Sequence, residues 1–470
     1  MIPAHHERHL APHHSAWAAM LLAATFLYAA ATPLSMAAGP ASTTPAQNPQ
    51  FNTTVSYLTH FYPLWFTHYQ NHNVKRDNGL VGPIRVSPLY QTVVAINVDT
   101  FYASTFLDLS SGPVIVTIPK TDLSYSTLLL DYYGNTFKEG PTLQTSGVTY
   151  ALTGPGFSGK LPKGVTPLAL PLKNMVLIFR VDKYSSDNVN QEKAAEQFRK
   201  SVLMQPLKAW LLHPGGGAAR IVPELFFAVP FKTAADGLIA KNPLTFLTQL
   251  QQAVHASTTP PMTPQERALS AAFDALYAKS GDKSQFAAGA KQAHTNILND
   301  YLTHTGKTNW ISFDNMGIWG PKEDLDRSAI TEFIQYGNNH QAAAYYQAFK
   351  DESGNPLDGS NGSVYVLHIP KDQIPDAKRF WSFTAYTPQS IELVKNSLKK
   401  YAVARYTPNL QYGGDGSVTI YMSNVQPKDA PQSNWLPAPT GPFNVMLRVY
   451  GPEGSVADGT YVPPGIVKQP

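Results

Sequence analysis

Two textures alternate along this chain, and their order constrains the fold more than any single residue does. Between residues 84 and 182, short apolar runs rich in β-branched and aromatic residues recur (TVVAINV, VIVTIP, YSTLLLDYY, MVLIFRV), with Gly, Pro, Asn and Asp between them. The runs suit a pleated backbone and the separators suit turns, which is the pattern of an antiparallel sandwich or barrel. From 190 to 304 the apolar spacing changes to helical period. Thr263-Pro264-Gln265-Glu266 reads as a helix start: an N-cap Thr, Pro at the first position and Glu three residues after the cap. Leu269, Ala272, Phe273, Leu276 and Tyr277 then fall on one stripe. KSQFAAGAKQAHTNILNDYLTHT predicts a second helix, and a third is expected from about Asp324 to Phe349. After 360 the strand texture returns in SVYVLHIP, RFWSFTAYT, SVTIYMS and NVMLRVY, with Asn361-Gly362 and Asp415-Gly416 as turn dipeptides. Residues 52–72 predict a helix that Pro63 breaks or kinks.

The expected fold is α+β, mainly β, with two antiparallel β-sandwich or jelly-roll-like domains. A β-rich domain is expected over 52–185, a helical region over 186–350 and a C-terminal sandwich over 351–470. Length agrees, because 470 residues exceed one ordinary core. The composition is 43% hydrophobic and only 14% charged, so the surface is largely neutral and polar. Net charge is +4 and no Lys/Arg block exceeds two residues, which argues against a nucleic-acid partner. The chain has no cysteine, which removes disulfides, thiol nucleophiles and thiolate metal sites.

The first 38 residues read as a signal peptide. Arg8 and five histidines precede an apolar run from Ala16 to Thr32, and Ser35-Met36-Ala37 offers small residues for cleavage near Ala37 or Ala38. The expectation is an exported protein, periplasmic or secreted, with a flexible lead-in over 39–51. The alternative is an uncleaved anchor, although the run is short for a membrane span. No later segment is long and apolar enough to cross a bilayer.

Chemistry-bearing motifs are sparse. The Gly-x-Ser-x-Gly elbow, a phosphate-cradling loop and a dinucleotide fingerprint are all absent. Asn97 and Asp99 would share one face of a strand, close to Tyr102; they either bind a ligand or cap a turn. Asp99 is also the candidate catalytic carboxylate, beside Asp108, Asp131 and Asp415 near strand ends. His60, His68 and His72 are dense, but no acidic residue lies between the last two and Pro63 disturbs the turn before them, so no metal is assigned. Trp381, Tyr386, Tyr401, Tyr406 and Trp435 suit either ligand stacking or a sandwich core.

Two stretches carry a family resemblance. The first is Asn97-Val98-Asp99-Thr100, Tyr102, LDLSSGPVIVTIP and YSTLLLDYYGNTF. The second is GNPLDGS, VYVLHIP, RFWSFTAYTP, DGSVTIYMS, NWLPAPTGPF, LRVYGPEG and DGTYVPP. Over about residues 52–466 the chain resembles bacterial proteins with two consecutive domains of unknown function, the twelve-fifty-four type followed by the twelve-fourteen type. The resemblance implies an exported or envelope protein with two β-rich domains, and no reaction. The motif residues it brings forward are Asn97, Asp99, Thr100, Tyr102, Trp381, Tyr386, Asp415, Asn434, Trp435 and Arg448.

NWLPAPTGPF is expected to link two antiparallel strands stiffly, with Trp435 packed beneath it and Asn434 tied to loop backbone. Arg448, alone among apolar neighbours, needs Asp415, Asp99 or a bound anion as its partner. Three functions fit these residues. One is an envelope hydrolase acting on a polymer or small ester at an interdomain cleft. Another is a non-catalytic binder of a carbohydrate, peptide or anionic small molecule. The third is an envelope assembly protein that forms a homo-oligomer. No cofactor is assigned.

Overall fold

A computed structural model describes residues 48–74, 77–83, 86–88, 93–139, 146–214, 222–223, 230–320 and 322–470. The expected signal peptide lies outside the described residues. The fold is α+β. Helix α1 (Pro49–Val74) leads into strands β1 (Val81–Gly82), β2 (Thr100–Asp108), β3 (Val114–Ile118), β4 (Tyr125–Leu130) and β5 (Thr136–Glu139). β6 (Val148–Thr153), β7 (Thr166–Ala169), β8 (Asn174–Asp182), α2 (Glu192–Ser201), β9 (Leu203–Pro206), α3 (Leu207–Leu212) and β10 (Val222–Pro223) follow. These strands form two sheets, in the orders β10-β1-β2-β8-β4-β5 and β7-β6-β3-β9. A core that includes Leu107, Val116, Leu152, Phe179 and Met204 lies between them.

Helices α4 (Phe231–Lys241), α5 (Pro243–Val254), α6 (Pro264–Lys279), α7 (Ser284–Thr303) and α8 (Asp324–Phe333) make up the helical part. α1 packs against α5, α6, α7 and α8. Tyr57, Leu58, Phe61, Tyr62, Leu64, Trp65 and Phe66 are all buried, so α1 is covered on most of its circumference. Pro63 does not break it. A proline withholds the amide that would bond the carbonyl four residues back. Here the Thr59 carbonyl accepts from Ser328 Oγ at 2.6 Å instead, and Arg327 Nη2 donates to the His60 carbonyl at 2.9 Å. The start of α6 is the expected capping box. Glu266 N donates to Thr263 Oγ1 at 3.2 Å, and Thr263 N donates to Glu266 Oε2 at 2.6 Å. Phe273 is buried on this helix, whereas Ala272, expected on the same stripe, is exposed.

The C-terminal strands are β11 (Trp310–Ile311), β12 (Ala343–Ala348), β13 (Tyr365–Ile369), β14 (Ala377–Tyr386) and β15 (Ala402–Ala404). β16 (Val418–Ser423), β17 (Trp435–Pro437), β18 (Asn444–Pro452), α9 (Gly454–Ala457) and β19 (Val467–Lys468) complete the chain. The sheets run β11-β12-β18-β14-β15 and β17-β16-β13-β19, with Leu367, Trp381, Ile420, Leu436 and Val449 in the core between them.

Two expectations are corrected here. The helix expected over 324–349 ends at Phe333, and AAYYQA is strand β12, hydrogen-bonded to β11 and β18. Its alanines favour a helix, but tertiary pairing overrides that preference. Tyr345 packs into one core and its neighbour Tyr346 into another, as a strand requires. The second correction concerns NWLPAPTGPF. Its Trp435–Pro437 portion is an edge strand parallel to β16, and β18 belongs to the other sheet. The segment therefore crosses between sheets rather than joining antiparallel neighbours, and Pro437 is tolerated because the strand is an edge.

A third core explains why MVLIFRV and NVMLRVY carry no polar–apolar alternation. β8 and β18 are buried almost throughout. One face of each serves its own sandwich. The other joins the helices, through Val176 and Ile178 from β8 and Met446 and Tyr450 from β18. Strands covered on both faces read as continuous apolar runs. Among the described residues, no helix is long and apolar enough to cross a membrane.

Candidate functional site

The third core contains a cavity of ≈ 60 Å³. One wall comes from the β2–β8 ladder, where Tyr102 lies opposite Arg180, Ser104 opposite Ile178 and Phe106 opposite Val176. The facing wall comes from Tyr345 and Arg448, opposite each other on β12 and β18, with Tyr450 two residues further along. Val93 to Asn97 run along the cavity, and Gln70, Ile334 and Tyr336 also line it.

Segment 94–97 is clamped over the cavity. Val94 N donates to Gln335 Oε1 at 3.2 Å and Ala95 N to the Ile391 carbonyl at 3.3 Å. Arg448 Nη2 donates to the Ala95 carbonyl at 2.5 Å, and the Tyr386 hydroxyl to the Ile96 carbonyl at 2.7 Å. Ala95 and Ile391 meet here with φ of 51° and 52°. Left-handed backbone costs an L-residue roughly 1–2 kcal/mol, so the clamp holds a conformation that neither residue favours alone.

The electrostatics of the cavity follow from two strand residues. Arg448 is 2% exposed, with its guanidinium carbon 5.5 Å from the Tyr386 ring centre. Its Nη2 is taken up by Ala95, whereas Nη1 makes no well-formed hydrogen bond among the described residues; the Tyr386 hydroxyl lies near the guanidinium and Asp99 acts on its charge from beside the cavity. Asn97 is 3% exposed; its Oδ1 accepts from Asp99 N at 2.7 Å, and its Nδ2 likewise finds no partner. The Tyr450 hydroxyl is near Asn97 but outside good hydrogen-bonding geometry. Arg180 donates to Asn338 Oδ1 at 2.7 Å and to the Tyr336 carbonyl at 3.4 Å. Burial raises the Tyr345 and Tyr450 phenols and pushes Tyr386 up to about 12, so all three are neutral hydroxyls at pH 7. The described residues lining the cavity include two arginines and no carboxylate.

Asp99 lies beside this cavity without lining it. Ser382 Oγ donates to its Oδ2 at 2.6 Å and the Tyr406 hydroxyl donates to its Oδ1. Burial raises its pKa, and these two bonds work against that rise. The carboxyl thus pins the start of β2 to β14. Tyr406 stacks on Tyr184 at 3.9 Å, and a buried Asp182–Arg379 pair adds a second pin, with Nε donating at 2.8 Å. Asp415, offered as a partner for Arg448, is exposed and accepts from Ser417 N at 3.0 Å and Ser417 Oγ at 2.7 Å within a turn.

Of the residues singled out by sequence, Asn97, Tyr102 and Arg448 line the cavity, and Tyr386 supports its clamp. Trp381 is in the core on the far side of its sheet. Asn434 ties the Gln411 amide and carbonyl, at 2.9 and 2.8 Å, and the Thr419 carbonyl at 3.0 Å. Trp435 Nε1 donates to the Ser423 carbonyl at 3.0 Å. Sequence reasoning missed Arg180, Tyr345 and Tyr450. For Arg180 the signal was present: an arginine within MVLIFRV is the same oddity that singled out Arg448 in NVMLRVY.

A second polar cluster lies among the helices. Lys232 Nζ is 2.8 Å from Asp236 Oδ2 and 2.6 Å from Glu332 Oε1, and Tyr62 donates to Glu332 Oε2. His294 Nε2 lies 3.0 Å from Asp236 Oδ1 and 3.8 Å from Glu332 Oε1. Burial opposes charging of His294, but the two carboxylates outweigh it and hold the imidazole up to about 9. The donor set resembles a metal site, yet Lys232 already supplies the cation between its carboxylates. His60, His68 and His72 do not converge. His60 bridges Asp324 and Glu266 at 2.7 and 2.9 Å, while His68 contacts Thr259 at 2.9 Å and is held down to about 4 by burial.

Comparison with known proteins gives a family and no chemistry. No curated protein matches the chain. In fold it is similar to the VPA0106 protein from Vibrio parahaemolyticus, at 20% identity and a TM-score of 0.56, over 89% of this chain and 99% of that one. It is also similar to an uncharacterized protein from Burkholderia cenocepacia, at 13% identity and a TM-score of 0.43, over 89% of this chain and 94% of that one. Two models of proteins of unknown function match, DUF1254 over residues 81–206 and DUF1214 over 342–454. β2 and β8 fall within the first match and β12 and β18 within the second, so the cavity is where the two domains face each other. The chain belongs to the proteins in which a DUF1254 domain is followed by a DUF1214 domain.

Proposed function

We propose that this is an exported binding protein that holds a small anionic molecule in the cavity between its two β domains. The observation that carries this reading is the pair of buried donors, Arg448 Nη1 and Asn97 Nδ2, left without partners on a wall that has no carboxylate among its described residues. A buried donor left unsatisfied costs about 1–3 kcal/mol, and more when it is charged. A bound anion answers both donors at once. Hydrolysis has less support: the wall offers neutral phenols and arginines, and both oxygens of Asp99 are engaged with Ser382 and Tyr406. Export is supported by the order of the N-terminal residues, and N-terminal sequencing of protein recovered from the cell envelope or medium tests it.

The binding test is a thermal-shift series with formate, acetate and inorganic phosphate on the purified protein. An anion at a hundredfold excess over its dissociation constant is expected to stabilise the folded state by about 2.7 kcal/mol. Arg448→Gln is expected to remove that shift while the circular dichroism stays native. A shift of equal size in the folded variant would remove Arg448 from the site.

A further inference from the structure

We infer that the preferred ligand is a monocarboxylate with a short apolar tail, an inference that rests on the anion reading of this cavity. The argument is the gradient of polarity along one wall. Tyr102 faces Arg180 across the β2–β8 ladder, Ser104 faces Ile178, and Phe106 faces Val176. At about 3.4 Å per residue, the polar pair and the last apolar pair are roughly 14 Å apart. Arg448 and Tyr450 lie at the polar end, where their charges and dipoles act on Tyr102. Val81 pairs with Ser104 on the other side of β2, and its side chain adds to the apolar lining.

The donors at the polar end suit a carboxylate. Arg448 spends one of its N–H donors on the Ala95 carbonyl and keeps Nη1 for the ligand. One carboxylate oxygen on Nη1 and the other on Asn97 Nδ2 or a tyrosine hydroxyl uses what remains. Phosphate would bring a second charge and more oxygens than these donors satisfy. A dicarboxylate would place its second charge beside Phe106 and Val176, where nothing pairs it. A sugar would place hydroxyls there. The volume of ≈ 60 Å³ keeps the tail short.

The test is isothermal titration of the purified full chain with acetate, propionate, butyrate, hexanoate, succinate, inorganic phosphate and, as a neutral control, butyramide. Affinity is expected to rise about fourfold per methylene from acetate to butyrate, following the transfer of each methylene out of water, and to fall once the tail outgrows the cavity. Val176→Phe, which fills the apolar end, is expected to remove the chain-length gain and leave acetate binding in place. Ser104→Leu fills the middle of the same wall and replaces it if the first variant does not fold. Phosphate or succinate binding more tightly than butyrate overturns the monocarboxylate inference and leaves the anion reading standing. Butyramide matching butyrate, or no anion binding at all, overturns both.

Discussion

Arg448 and Asp182 mark two ways in which this protein buries charge, and they respond differently to substitution. Arg379 is 5% exposed and Asp182 1%, and their pairing across the domain contact compensates both. Removing one partner of such a pair leaves the other charge stranded, at about 3–5 kcal/mol. Asp182→Ala is therefore expected to cost that much in urea unfolding. Arg448 has no hydrogen-bonded carboxylate, and Asp99 acts on its charge only through space from beside the cavity. Arg448→Met removes one bond to the Ala95 carbonyl and a cation over Tyr386, but it also removes a buried charge that Asp99 offsets only through space. Its expected cost is within about 2 kcal/mol, near that of one unsatisfied acceptor. Equal losses in the two variants would mean that Arg448 is compensated as fully as Arg379. At this scale the site was partly legible. Arg448 stands out because a charged group in an apolar strand needs a partner; Asn97 and Tyr102 stand out by their spacing around Asp99, although Asn97 lies in the segment before β2, where its side chain caps Asp99 N, and not on the strand. Tyr345 could not stand out, because AAYYQA carries a helical composition and nothing local says which tyrosine faces which core.

Among the elements, α1 shows how a local rule is met by distant chain. The expectation that Pro63 breaks or kinks the helix counts only bonds within the helix. The freed Thr59 carbonyl is satisfied by Ser328, 269 residues away, which no local rule predicts. Ser328→Ala is expected to destabilise the protein by about 1–2 kcal/mol by orphaning that carbonyl. In a Pro63→Ala background the helix amide is restored, so the same substitution should cost clearly less. A double-mutant cycle reads this as a coupling energy between the two sites. Additive losses would show that the serine does not stand in for the missing amide. The strands were legible for the converse reason. Their apolar runs are continuous because two cores cover them, and continuity survives whichever sheets they join. Which sheet each strand joins is set at long range, which is why NWLPAPTGPF reads as a link between antiparallel neighbours although its Trp435–Pro437 portion pairs with β16.

For the whole molecule, the helical part joins the two β domains through the third core, and the Lys232–Asp236–His294–Glu332 cluster ties α4, α7 and α8 together inside it. This coupling has a pH signature with a definite sign. His294 is raised to about 9 in the folded protein, against about 6.5 in the unfolded chain. A raised histidine binds its proton more tightly when folded, so its stabilisation is complete below pH 6.5 and is lost as pH rises towards 9. Lys232 moves in the same direction from a far higher starting value and is charged throughout this window. His68 acts on the acid side. Burial holds it down to about 4, so its contribution is complete above pH 6.5 and is lost as pH falls. The contributions of His294 and His68 together are therefore largest near pH 6.5. The alkaline limb should fall by up to about 3 kcal/mol, because each pH unit separating the folded and unfolded titrations of His294 is worth about 1.36 kcal/mol. His294→Phe is expected to shrink the alkaline limb to the part supplied by His60, which Asp324 and Glu266 hold above its usual value against the opposing effect of burial, and to leave the acid limb intact; His68→Phe is expected to weaken the acid limb alone. Urea midpoints measured from pH 4 to 9.5 decide it. An alkaline limb of undiminished size in His294→Phe would place the titrating group outside the helical cluster and detach that cluster from the coupling assigned to it.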